Sequence, residues 1–339
     1  MQINKKDLQE ALEIVKPGLA NREVIEQTTS FAFMEERVVT YNNEISISHP
    51  IKDLKIKGAI QADKLYALLS KVKKDIIDIT TEGNEIILSS GRMKAGLTLQ
   101  SEIKLPLEDI PKIKEGWKDL PENFIKCLRF AMSACGKDMS RPILTCVHIN
   151  KNGYMEASDN LRIIQCRLSS ELPVKTFLIP ASAAVDVVKL NPIRIAKEQE
   201  GWVHFQTEMG TIISCRIFGK DKYVSTSSRM EVKQEQEIIF PGIIQEVLDR
   251  AIVFAKRDYI LDEIIEISLE NRRLKLRSFF DEGWFEEEIN IRYTGDPISF
   301  SITPYLLKDI LSESSKCIIS KEKIKFEGDD WIYVATLRN

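Results

Sequence analysis

A chain of 339 residues, 43% hydrophobic and 29% charged, holds enough apolar material for two to three domains, at roughly 100 to 200 residues each. Its formal net charge of -3 excludes attraction to nucleic acid through overall charge, so any such contact has to come from local basic patches. Six scattered cysteines, Cys127, Cys135, Cys146, Cys166, Cys215 and Cys317, include no C-x-x-C pair. That argues against zinc or a disulfide framework and for small buried hydrophobes in a reducing cytosol.

The start, Met1-Gln2-Ile3-Asn4-Lys5-Lys6-Asp7, has no apolar leader, and no later apolar run reaches membrane length, so a soluble, unexported protein is expected. Leu8, Ala11, Leu12 and Val15 put one apolar face on a helix over 6–15, which Pro17-Gly18 ends. Alternation predicts strands at 30–33, 38–41, 44–48 and 55–59, with Asn42-Asn43 as a hairpin turn. A helix over 63–71, strands at 76–80, 85–89 and 93–99 and a linker over 105–118 follow. The next stretch reads as a helix over 122–134, strands at 145–150, 154–158, 162–168 and 175–179, and a helix over 181–190. Strands at 193–197, 203–207 and 211–218 then lead into a polar stretch over 219–236. The last third reads as a helix from Pro241 through Phe254, strands at 264–269, 273–278, 285–291 and 298–301, a helix over 304–311, and strands at 317–320, 324–327 and 331–337.

The three thirds repeat one another. Ile60-Gln61-Ala62-Asp63-Lys64-Leu65, Ile179-Pro180-Ala181-Ser182-Ala183-Ala184 and Ile302-Thr303-Pro304-Tyr305-Leu306-Leu307 open helices that align without a gap. Apolar residues recur five, eight and nine positions after the leading Ile, the spacing of one buried helical face. The leading Ile residues stand 119 and 123 positions apart, a period that means three copies of a domain and not a solenoid. The copies are placed at 1–117, 118–234 and 235–339. Hairpin-length connections within each argue for an α+β fold, antiparallel sheet with helices on one face.

Local motifs add to the repeat. Ser90-Gly91-Arg92, Ala157-Ser158-Asp159-Asn160-Leu161-Arg162-Ile163, Tyr293-Thr294-Gly295 and a terminal strand with Tyr333-Val334 ending in Leu337-Arg338 stand in the order in which similar motifs occur in the bacterial and phage sliding clamp, the DNA polymerase III beta subunit family. The chain resembles that family in register along its whole length. The resemblance implies three tandem clamp domains, a head-to-tail homodimer with sheets outside and helices lining a pore, and a ring that tethers a DNA polymerase to duplex DNA. It also implies a clamp loader as partner, no cofactor and a cytoplasmic location. The divergent groove leans toward a phage or mobile-element source.

A pore of this kind touches phosphates without reading bases. The helix copies carry basic residues off their apolar faces, among them Lys64, Lys71, Lys126, Arg129, Lys189, Arg250 and Lys308, and the resemblance adds the loop residues Arg22, Lys137, Ser140 and Arg141. Pro142-Ile143 stands where the family has an aromatic pair, so stacking there is not expected and Arg141 is left as a charge contact. Ordinary solvation accounts for any single cation equally well. The resemblance places a partner-peptide groove at Leu144, Ser158, Asn160, Leu161, Arg162 and Ile163 with Val334, Ala335, Thr336, Leu337 and Arg338, and a dimer seam at Leu97, Val253 and Phe254. With fewer methionines than the family tail, this groove is expected to be smaller and less adaptable. Arg162 has a bland alternative, a strand arginine bridging its neighbours.

Enzyme chemistry finds little support. His49, His148 and His204 lack metal-ligand spacing, and Glu286-Glu287-Glu288 on a strand alternate between faces. Gly91-Arg92-Met93-Lys94-Ala95-Gly96 lacks the spacing of a phosphate loop. Three readings stand: a processivity clamp, a ring-less adaptor or decoy of the same fold, and a metal-dependent nuclease.

Overall fold

The computed structural model describes residues 1–109, 116–199, 201–219, 223, 226, 229–232 and 236–338. Among them six α-helices form: Lys5–Val15 (α1), Ala62–Lys71 (α2), Phe124–Met132 (α3), Ala181–Leu190 (α4), Ile244–Ala255 (α5) and Pro304–Leu311 (α6). The aligned Ile60, Ile179 and Ile302 fall in the strands Ile56–Gln61, Phe177–Pro180 and Ile298–Ile302, and α2, α4 and α6 each begin just after them. The Asn4 side chain caps α1 by accepting from Lys6 N at 2.8 Å, and Asn191 ends α4 in the left-handed region. The stripe that spacing predicts is buried in full in α1, at Leu8, Ala11, Leu12 and Val15, and in α6, at Leu307, Ile310 and Leu311, whereas one position of it is half-buried in each of α2 and α4, Leu68 and Val188.

Three strands were not legible in the pattern: Gln2–Asn4, Lys118–Asp119 and Gln236–Ile239. They lie just ahead of α1, α3 and α5 and pair antiparallel through Ile3↔Ile77, Lys118↔Ile195 and Ile238↔Cys317. Two of them reach into the stretches predicted as linkers. Such short strands at sheet ends are fixed by main-chain hydrogen bonds, with too few residues to show alternation. Parts of both predicted linkers, and Asn339, lie outside the described residues.

By contact the chain divides into two compact units, one of Met1–Arg129, Ile149–Gly153 and Ser169–Lys220, the other of Phe130–His148, Tyr154–Leu168 and Asp221–Asn339. This division cuts through the second sequence copy. In the first unit an eight-stranded sheet runs in the order Ile56–Gln61, Ser30–Glu35, Arg37–Tyr41, Ile45–Pro50, Ile212–Arg216, Trp202–Gln206, Arg194–Gln199, Lys118–Asp119. In the second unit Tyr154–Ser158, Arg162–Arg167, Trp331–Thr336, Lys323–Glu327, Lys316–Ile319 and Gln236–Ile239 lie side by side. Each unit also has a four-stranded sheet, ending in the edge strand Met93–Thr98 in the first and Gly283–Asn290 in the second.

Both large sheets contain a seam where strands far apart in sequence pair. In the first unit it is Ile45↔Cys215, Ser46↔Ser214 and Ile47↔Ile213. In the second it is Arg162↔Ala335, Ile163↔Val334 and Ile164↔Tyr333. Side chains alternate across a strand, so Ile45, Ile47, Ile213 and Cys215 face the core of one unit and Ile164, Tyr333 and Ala335 that of the other, all at 1% exposure or less. Ser46 and Ser214, and Ile163 and Val334, take the opposite faces.

Candidate functional site

The hairpin that opens the second seam is built by short polar side chains. Asn160 adopts φ 75°, a conformation asparagine tolerates. Asp159 Oδ1 accepts from Leu161 N and Arg162 N, both at 3.0 Å, and Ser158 Oγ donates to Arg162 O at 2.8 Å. This turn forms one wall of a cavity of about 350 Å³. Ser158, Asn160 and Ile163 line it from the hairpin, Arg141, Ile143 and Leu144 from the loop after α3, and Tyr223, Thr226 and Arg229 from the third side. Beneath it Ile163, Met230 and Val334 form an apolar cluster, with Ile332 packed alongside. The site is an apolar floor bordered by two arginines, a shape that takes an extended apolar segment with acidic neighbours.

Leu144, Ser158, Asn160 and Ile163, expected in a peptide groove, thus line one cavity, with Val334 in its floor. Arg141, expected among phosphate contacts, lines the same cavity. Leu161 O accepts from Thr336 N at 2.8 Å and from Thr336 Oγ1 at 3.1 Å. Ala335 is buried, Leu337 N donates to Glu322 O at 2.8 Å, and Arg338 pairs with Ser301. Tyr223, Thr226, Arg229 and Met230 were missed because they lie in a polar stretch without periodicity. The repeat offered a signal, since the corresponding stretch after the first copy carries Ile103, Leu105 and Leu107 against its own sheet.

Arg162 is 7% exposed and its side chain turns away from the cavity. Nε pairs with Asp159 Oδ2 at 3.1 Å, Nη1 with Asp309 Oδ2 at 2.7 Å, and Nη2 donates to Ser133 O at 2.5 Å. The guanidinium also stands 5.0 Å from the Tyr305 ring centroid. Burial pulls its pKa down, but Tyr333 and the carboxylates of Asp309 and Asp159 hold it above the ordinary arginine value. The bridging alternative is the geometry observed: Arg162 ties its hairpin to α6 and to the end of α3.

The predicted phosphate contacts fall into two groups. Lys64, Lys71, Lys126, Arg129 and Lys189 are exposed on α2, α3 and α4, and Arg22 and Lys137 on loops. Lys189 lines a cavity of about 610 Å³ with Glu13, Lys16, Asp63 and Asp186, so both signs of charge meet there. Burial pushes the Asp186 carboxyl up to about 6. Arg250 is held bidentately by Glu287 at 2.8 Å through both Nε and Nη2, and Lys308 is paired with Asp249. Ser140 donates from N and Oγ to Asp138 at 2.8 and 2.7 Å, which places an anion between Lys137 and Arg141.

Leu97 sits on the edge strand Met93–Thr98. Val253 and Phe254 close α5, where Val253 is 69% exposed, and nearby Trp284, on the edge strand Gly283–Asn290, is 66% exposed. Phe254 covers Gly283, so closely that an added Cβ would lie 3.1 Å from the ring. The acidic run resolves as alternation requires: Glu286 and Glu288 pair with Lys275, Arg277 and Arg273 on one face, and Glu287 with Arg250 on the other. Among the described residues no cluster of three or more potential metal ligands occurs, and no helix is long and apolar enough to cross a membrane.

No protein-family model matches this chain, and no curated protein matches it in sequence. Solved structures do. The DNA polymerase sliding clamp of Bacillus subtilis superposes with a TM-score of 0.84 at 18% identity, covering 100% of this chain and 98% of that one. The DNA polymerase III beta chain of Streptococcus pneumoniae gives 0.83 at 20% identity, and the beta subunit of Pseudomonas aeruginosa 0.83 at 18%, each covering 100% of this chain and 99% of the other. With α-helices, antiparallel sheets and a match over its full length, this chain has the fold of the bacterial DNA polymerase III beta subunits, the DNA sliding clamps.

Proposed function

We propose that this protein is a DNA sliding clamp: a homodimeric ring that encircles duplex DNA without sequence preference and tethers a DNA polymerase, and in turn a clamp loader, through the cavity beside Ile163. The observation that carries this reading is the full-length match to the clamp fold at a TM-score of 0.83. Two further features support it. Each unit ends a sheet on an edge strand, one bearing Leu97, the other bearing the exposed Trp284 near Val253, and such edges and patches invite pairing with another chain. The exposed cations of α2, α3 and α4 supply phosphate contacts that carry no base information. The protein performs no chemistry in this reading and works in the cytoplasm with the replication machinery.

The ring-less adaptor is favoured by one observation: Arg250 and Lys308, expected among the phosphate contacts, already have carboxylate partners. Retention on circular DNA separates the two. After incubation with a bacterial clamp loader and ATP, a clamp stays with nicked circular DNA through gel filtration and is lost when the circle is linearised. Light scattering should give a dimer that persists on dilution. A monomer that never co-elutes with circles would establish the adaptor and end the clamp reading.

A further inference from the structure

We propose that Glu156 and Lys323 are positioning residues, charged struts that hold Thr226 and Arg229 in place as a wall and so keep the second unit's cavity open. The proposal rests on the reading of that cavity as the partner site. Neither side chain lines the cavity; both act through the wall.

Glu156 is 3% exposed. Its carboxylate accepts from Thr226 Oγ1 at 2.5 Å and from Gln165 Nε2 at 2.7 Å, and meets His148 Nδ1 at 3.3 Å. The His148 ring in turn stacks on Tyr223, centroids 4.5 Å apart and planes 20° apart. At the other end Lys323 Nζ donates to Arg229 O at 2.8 Å and to Glu231 O at 3.4 Å. Tyr223, Thr226 and Arg229, the three residues on that side of the cavity, are therefore tied at both ends to the sheet.

The first unit shows what happens without struts. Strand register puts Val39 opposite Ser48 as Glu156 is opposite Gln165, and Trp202 opposite Arg216 as Lys323 is opposite Thr336. Where the second unit has a carboxylate and an ammonium, the first has two hydrophobes. There the stretch after the first copy lies directly on the sheet, with Leu105 6% exposed against Ala32, Tyr41 and Trp202. Burying a carboxylate or ammonium without its partner is costly. In the second unit Thr226 and Arg229 consequently stand at hydrogen-bond length from Glu156 and Lys323, and Met230 is the wall residue that reaches Ile163 and Val334.

The test uses the full chain and anilinonaphthalene sulfonate, an apolar anion whose fluorescence rises on leaving water. Thr226→Val removes the Glu156 tie and Lys323→Met the other, with side-chain volume nearly kept. Each should speed amide exchange at Arg229–Val232 by roughly 10-fold and weaken probe binding, while far-ultraviolet circular dichroism stays native. Glu156→Gln, which keeps an acceptor for Thr226, should retain most of the probe binding that Glu156→Ala loses. Unchanged exchange and binding in the double variant Thr226→Val, Lys323→Met would overturn the proposal. Ser158→Tyr, which puts Tyr41's counterpart into the cavity, should abolish probe binding. If the probe still binds to Ser158→Tyr, it is not in the cavity, and the underlying assignment of the site fails separately from the struts.

Discussion

The two seams share a register and differ in where their hydrophobes stand. In the first unit the outer face of the seam has a polar centre, Ser46 and Ser214, flanked by Tyr41 and Trp202. In the second the centre is Ile163 and Val334 and the flanks are Ser158 and Lys323. The aromatic flanks of the first grip Leu105 of the chain itself. The polar flanks of the second leave its apolar centre beside a cavity. One repeat thus closes a surface by self-packing, and the next leaves a cavity on the equivalent surface. Four positions of the shared register are inverted between the two seams, and burial of apolar area is what holds an extended segment to a sheet.

Trp202→Ala attacks the closed seam at its largest contact. Trp202 is 3% exposed and packs against Tyr41 and Leu105. Truncating a buried aromatic of this size costs about 3 to 5 kcal/mol. Guanidinium unfolding should show that loss, with the stretch at Ile103, Leu105 and Leu107 exchanging early. A loss below about 1 kcal/mol would mean that the aromatic flanks do not hold the stretch.

The two centres should also answer differently to acid. His204 is fully buried, its Nδ1 lies 2.9 Å from Ser214 Oγ, and its Nε2 has no hydrogen-bond partner among the described residues. Burial pulls its pKa down to about 4. An unfolded histidine titrates near 6.5, so the unfolded state binds the extra proton first. The stability is therefore present above about 6.5 and is lost as pH falls toward about 4, amounting to roughly 3 kcal/mol. The register counterpart in the second unit is Lys325, opposite Val334 as His204 is opposite Ser214, so no buried histidine stands at that place. His204→Gln should flatten the acid limb of a stability against pH curve. An unchanged limb would place the acid sensitivity elsewhere.

How much of this was legible varies with the physics. The six helices follow from spacing that one chain segment contains, and Ile60, Ile179 and Ile302 mark three of them, α2, α4 and α6. The strands Gln2–Asn4 and Lys118–Asp119 did not, because their pairing partners, not their own side chains, make them strands. Four cavity residues, Leu144, Ser158, Asn160 and Ile163, were reached by resemblance to the clamp motif. Arg162 was reached too, but sequence cannot say that Asp309, 147 positions on, draws its guanidinium to the inner face. Thr226 and Arg229 carry no local signal at all. Their place is set by Glu156, 70 positions away from Thr226, and by Lys323.

Gln27 gives a smaller effect. Its buried amide donates to Glu102 O at 2.8 Å and accepts from Lys104 N at 2.7 Å, a two-point grip on the main chain of the first unit's self-packed stretch. Gln27→Leu leaves both groups to find water, at about 1 to 2 kcal/mol, which chemical denaturation can measure. Recovery of wild-type stability would show that Leu105 alone fixes the stretch.

The smallest expected effect is the most telling about struts. Lys104 and Glu26 pair at 2.8 Å, both about half exposed, so the first unit also has a charged tie between its stretch and the body of the unit. An exposed pair of this kind adds little because solvent screens it, and here Leu105 is already buried. Glu26→Gln should therefore leave amide exchange at Ile103 and Leu105 unchanged within error, while Thr226→Val releases Arg229–Val232. The two substitutions remove ties of similar length and opposite consequence, because only in the second unit does a buried carboxylate stand in for apolar packing. If Glu26→Gln loosened its stretch as much as Thr226→Val loosens the wall, both segments would be held in the same way. The difference between a closed and an open seam would then have to come from the Ile163 and Val334 floor alone.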